Sequence, residues 1–215
     1  MKKLTKRDIS VIKYVEKYGF VTIKQAANFA FNNNEYATDI ARRRLNAIVE
    51  LGYLQTTTIG STKVFYIEDK YANVSLHMIV TMNLYSSLIR YGAEILYFKR
   101  EQSWLEGQRR SDAFCIFKRC GYYYAVAEET LESSSRSRGE TPYTHNSKYT
   151  AKYRTIMNTN EHNKLFQEVT GIDKRIPLTL LIVDDVDHGE KWKIDVEEIE
   201  TFTDNFSLDN IFQIF

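Results

Sequence analysis

Residues 36–52, YATDIARRRLNAIVELG, decide how the first part of this 215-residue chain is read. At 100° per residue, Ala41, Leu45, Ile48 and Val49 share one face of a helix and must pack inward. Arg43 projects almost opposite that face, near Tyr36, Asp39 and Ala47, with Arg42 and Arg44 on either side. Gly52 stands where a left-handed cap closes a helix. An apolar back with guanidinium forks in front suits a helix lying in the major groove of a duplex, where arginines reach guanine edges or phosphates.

The flanking sequence supplies the rest of a domain. Upstream, Thr5 with Asp8 three residues later opens a helix carrying Ile9, Val11, Ile12 and Val15, and Gly19 stops it. Thr22 with Gln25 repeats the capping pattern before IKQAANFAF, and the NNN run at 32–34 makes a turn. Downstream, YLQTTTIGSTKVFYI has a Thr-rich run, Gly60-Ser61 and an alternating run, the pattern of a β-hairpin turning at Gly60. Three helices and a hairpin predict a winged helix-turn-helix over residues 1–70. Lys24 and Gln25, near the start of the second helix, are placed to hold the phosphate backbone. Lys63 on the hairpin is placed to reach the adjacent groove. The competing reading is a winged helix used for protein contacts, its arginines merely solvated.

Charge distribution agrees with a basic head on an acidic body. The whole chain is +1, but residues 1–70 carry 12 Lys/Arg against 7 Asp/Glu, and the remainder 17 against 21. The two cysteines, Cys115 and Cys120, are expected to stay reduced. No apolar run reaches the ~18 residues of a membrane span, and the basic start precedes no apolar stretch, so a cytoplasmic location is expected. Cys115 and Cys120 lack a nearby His pair for zinc, and no Gly-rich loop cradles phosphate, so no cofactor or resident metal is expected.

Residues 71–92 read as a linking helix, with Leu76, Ile79, Met82 and Ile89 either forming a dimer seam or packing on the second domain. From 93 to 215 the period changes. AEILYFKRE, DAFCIFKR and GYYYAVAEE are three strands. LESSSRSRGETPYTHNS is a long loop, a helical stretch runs from about Lys148 to Val169 with a break near NTNEHN, and IPLTLLIVDD is a strand buried on both faces. The whole is α+β: the winged helix-turn-helix followed by a mixed α/β domain.

Two pieces in order, LTKRDISVIKYV…ARRRLNAIVELGYL…KVFYI and RRSDAFCIF…YYYAVAEETLESSSR…KYTAKY, resemble the replication-relaxation proteins of plasmids, phages and conjugative elements in Gram-positive bacteria. The resemblance spans residues 4–155 and includes a histidine on the linking helix, here His77. It implies that the second domain is similar to a PD-(D/E)xK nuclease core, and that the protein acts on mobile DNA in transcription, replication or transfer.

Such a core needs an Asp on one strand, an acidic residue on the next and a Lys two positions on. Asp112, Glu128 and Glu129 fit the first two requirements. The positions two beyond the glutamates are Thr130 and Leu131, and Ser111 stands where proline would. Lys148 or Lys152 on the following helix could substitute. The alternative is that the carboxylates are strand-end charges paired with Arg109 and Arg110. Without the strand lysine, an inert nuclease-like domain is expected. The expected partners are double-stranded DNA, a second copy of the chain, and a protein held by the second domain. The alternatives are a metal-dependent nuclease or a DNA-binding adaptor in a replication or conjugation complex.

Overall fold

The structure is a computed structural model describing residues 3–32, 34–68, 74–131, 142–176, 178–184, 192–196 and 199–203. At 131, 142–148, 150 and beyond 180 only the backbone is described. The chain divides into two compact units, Met1–Tyr91 and Gly92–Phe215.

In the first unit, α1 (Lys6–Tyr18) starts on the Thr5 capping box with Asp8 and ends at Gly19, whose φ of 90° only glycine adopts cheaply. A three-residue strand β1 (Phe20–Thr22) follows, then α2 (Ile23–Ala30), capped by Thr22 and Gln25 as the sequence predicts. Helix α3 (Ala37–Glu50) and the hairpin β2 (Gln55–Ile59) and β3 (Thr62–Tyr66) come next. The hairpin turns at Gly60-Ser61, with φ 59° at Gly60. β1 had no signal in the sequence, because three residues are too short to show a period. It pairs with β3 to make an antiparallel sheet of order β1-β3-β2. Val11, Val15, Phe20, Val21, Ala26, Ala41, Leu45, Ile48, Val64 and Phe65 are fully buried in this unit.

Helix α4 (Leu76–Arg90), capped by Ser75, corrects the expected boundaries. It is no separate linker at 71–92 but packs on α2 as part of the first unit. The Gln25 amide donates to the Ile79 carbonyl and to Asn83 Oδ1, both at 3.1 Å. Asn28 donates to Ser86, and Arg90 donates to Asn28 Oδ1. Of the four apolar residues expected to form a seam or pack on the second domain, Ile79 and Met82 are buried within the first unit, Ile89 is half-buried and Leu76 is exposed.

The second unit is built on a mixed sheet. β4 (Glu94–Trp104), β5 (Arg109–Arg119) and β6 (Tyr122–Leu131) form an antiparallel meander. β5 starts at Arg109, three residues earlier than expected. β4 passes Glu101, at φ 51°, and runs on to Trp104. Helices α5 (Pro142–Asn158) and α6 (Glu161–Thr170) follow, and β7 (Leu178–Asp184) returns parallel to β6. The start of α5 shows that PYTHNS, expected in a loop, is helical. The break at NTNEHN is present, with Asn160 left-handed between the helices. β8 (Trp192–Val196) and β9 (Ile199–Thr203) continue the sheet in the order β4-β5-β6-β7-β9-β8. Phe114, Ile116, Ala125, Ala127, Leu178 and Leu180 bury one sheet face against Tyr153, Ile156 and Phe166 from the helices. Asn33, the linker stretch 69–73, the Ser-rich stretch 132–141 and the closing IFQIF lie outside the described residues. No helix among the described residues is long and apolar enough to cross a membrane.

Candidate nucleic-acid interface

The structure divides the three consecutive arginines of α3 among three environments. Arg43 is exposed and makes no ion pair among the described residues. Arg42 is exposed too, its Nη1 donating to Asp39 Oδ1 at 2.7 Å within the helix. Arg44 turns back onto α1: its Nε donates to Asp8 Oδ1 at 2.9 Å, its Nη2 bridges to Asp8 Oδ2 and donates to the Lys3 carbonyl. Asp8 is fully buried. Burial opposes its ionisation, but the bonds from Arg44 and Thr5 outweigh that and hold its carboxyl below the ordinary range. Arg44 is therefore corrected from an outward-facing contact to a clamp that seats α3. Only about a hundred degrees separates it from Arg43 on the helix, and helical spacing alone could not reveal a partner 36 residues away.

Two further expectations change. Gln25 is fully buried, its amide spent on the α2 cap and on α4, so it cannot contact DNA. Ala47, expected outside with Arg43, is 6% exposed. Tyr36, at the head of α3, is 61% exposed, and Lys24 is exposed on α2. Lys63 on β3 is exposed, and its Nζ donates to Asn46 Oδ1 on α3 at 3.1 Å. That bond, made to a residue the sequence did not single out, brings the hairpin and the outer side of α3 together. Arg42, Arg43 and Lys63 thus belong to one exposed, positively charged region on α3 and the hairpin, while Ala41, Leu45 and Ile48 hold α3 from behind.

The carboxylates of the second unit also form a cluster. Ala113 and Glu128 are partners on β5 and β6, so one step on, Asp112 and Glu129 come abreast. Asp112 Oδ2 accepts from the Thr130 backbone N–H at 2.7 Å. Glu129 Oε1 accepts from Lys152 Nζ and from the Tyr153 hydroxyl, each at 2.5 Å. Tyr153 and Ser111 hydroxyls lie 2.7 Å apart, and Trp104 Nε1 donates to Ser111 Oγ at 2.7 Å. Each hydroxyl has one proton, so the consistent chain runs Trp104 to Ser111 to Tyr153 to Glu129. Burial pushes Glu129 up to about 7 against the pull of Lys152, and pushes the Tyr153 phenol up as well.

Glu128 is different. Ala127 belongs to the face that packs on the helices, so the pleat turns Glu128 to the opposite face. It is fully buried, and among the described residues neither oxygen finds a hydrogen-bond partner. Burial, then Asp112 and Glu129, raise its carboxyl well above the ordinary range. Arg109 and Arg110 do not take the expected pairing: Arg110 pairs with Glu101, Arg109 donates to the Gln108 carbonyl, and it is Lys152 that pairs with Glu129. Lys148 lies on α5, with its side chain outside the described residues. Tyr153 ends the KYTAKY stretch and was legible as part of that motif, but its hydroxyl contacts were not.

No family model, curated relative or solved structure matches the chain.

Proposed function

We propose that the first unit is a winged helix-turn-helix that binds double-stranded DNA, with α3 as the reading helix and the β2–β3 hairpin as the wing. The observation that carries this is Arg43, exposed and without an ion pair among the described residues, on a helix whose opposite face is fully buried, beside a hairpin lysine bonded to that same helix. Rigid seating matters because a guanidinium reads a base only when its helix is held in register. Arg42 and Lys63 supply phosphate contacts, and Tyr36 and Lys24 border the site. Arg44 and Gln25 hold the frame.

With the resemblance to replication-relaxation proteins, the reading is a cytoplasmic, sequence-specific DNA-binding protein of a mobile element, acting as a homodimer in transcription, replication or transfer. The test is a footprint of the full chain on non-coding DNA of its element. Protection of a defined site upstream of its own gene supports a transcriptional regulator, and protection at an origin supports a replication or transfer adaptor. Equal binding to all duplexes, or none, removes the reading. Complex stoichiometry reports the dimer.

A second reading is favoured by Lys152. The antiparallel meander β4-β5-β6 is followed by helices α5 and α6 and by β7 parallel to β6, so Lys152 on α5 comes to the strand-end carboxylate Glu129. Asp112 and Glu129 then take the carboxylate positions of a PD-(D/E)xK-like core and Lys152 the lysine, migrated to the helix. Full-length protein incubated with Mg²⁺ or Mn²⁺ and plasmid is expected to leave the DNA intact. Nicking that disappears in Asp112→Ala would establish the nuclease instead.

A further inference from the structure

The carboxylates that would hold the divalent metal implied by that resemblance are each already engaged at one oxygen. Glu129 Oε1 is already shared by an ammonium and a phenol, and Asp112 Oδ2 is taken by the Thr130 amide. Glu128, the third carboxylate, lies on the other side of the sheet. Among the described residues no three carboxylates, thiols or imidazoles converge to hold a metal ion.

We propose that the Lys152 ammonium is the resident cation of this cluster, doing the electrostatic work of a metal ion and closing the site to one. The ammonium is largely shielded: the Lys152 side chain is 17% exposed and that of Glu129 6%. Its Nζ also lies 5.3 Å from the Tyr153 ring centroid and 5.9 Å from that of Tyr149. A carboxylate and two aromatic faces make a cage for a monovalent cation. The cage is fixed, because Tyr153 and Ile156 on the same helix are fully buried in the core. Two carboxylates abreast repel each other, and an opposite charge delivered by the covalent chain relieves that without any dissociable ion.

Two roles that the sequence leaves joined come apart in this geometry. A lysine near a carboxylate pair reads as catalytic equipment, yet a lysine bonded directly to the metal-binding oxygen competes with the metal.

The experiment titrates Mn²⁺ into the full chain at pH 8, following free Mn²⁺ by electron paramagnetic resonance. Wild type is expected to bind none at this cluster, and so is Lys152→Arg, which keeps the charge. Lys152→Ala and Lys152→Gln are expected to gain one Mn²⁺ per chain, lost again when Asp112→Asn is added. If Lys152→Ala folds only with Mn²⁺ present, as read by circular dichroism, the proposal also stands. Wild-type Mn²⁺ binding that Asp112→Asn removes would overturn it. So would a folded Lys152→Ala or Lys152→Gln that binds no Mn²⁺. The duplex affinity of Arg43→Ala is the separate readout of the DNA-binding reading.

Discussion

Arg44 on α3 and Asp8 on α1 form a two-point bridge, with the buried carboxylate also accepting from the Thr5 backbone N–H at 2.6 Å. One side chain therefore caps the first helix and seats the third. Arg44→Ala leaves a buried charge with half its partners gone, and a loss of about 3 kcal/mol is expected in urea unfolding of the first unit. Because the folded carboxyl is held below its ordinary value, that contribution is present above pH ~4 and is lost as the pH falls through the folded value. A wild-type advantage over Arg44→Ala that persisted undiminished at pH 2 would contradict this.

Arg43→Ala is the complementary change. Arg43 is exposed, with no ion pair among the described residues, so melting temperature should not move. Specific duplex binding should weaken by about 1–3 kcal/mol, with discrimination relaxed at one base position. Unchanged affinity and selectivity in a fluorescence-anisotropy titration would reassign α3 to another task.

Lys63→Ala tests the hairpin. If Lys63 neutralises one phosphate, binding should fall about equally for specific and random duplexes, and the slope of log K against log salt should lessen by about one. Loss confined to the specific site would instead make Lys63, bonded to Asn46, a positioning residue for α3.

Glu129 predicts a pH dependence of the opposite sign from Asp8. Its folded value of about 7 lies above the ordinary 4.5, so its stabilising share is complete below pH ~4.5 and lost as pH rises through 7. Unfolding free energy of the second unit should fall between pH 5 and 8, by at most about 1.4 kcal/mol per pH unit for this group. In Glu129→Gln that component should vanish. A wild-type stability that climbs with pH relative to Glu129→Gln would refute the assignment.

Local signals in the sequence located most elements because the relevant physics is local. Thr5 with Asp8, Thr22 with Gln25, Gly19 and Gly60 mark ends and turns that the structure keeps. The apolar face of α3 was legible for the same reason. What the sequence hid depends on distant partners: Asp8 for Arg44, Asn83 for Gln25, Asn46 for Lys63, Tyr153 for Glu129. Polar residues look alike whether they face water or a buried carboxylate 36 positions away. Asp112 and Glu129 come abreast on neighbouring strand ends and Lys152 reaches Glu129 from the following helix, whereas Glu128 falls on the other face by a single pleat.

The amide ladder from α2 to α4 has a practical consequence for where the molecule can be cut. A fragment ending at residue 70, where the hairpin motif ends, would strand the Gln25 and Asn28 side chains at a stripped surface and uncover the apolar ground beneath them. The first compact unit ends at Tyr91, one helix later, and a truncation that keeps this ladder should be made there.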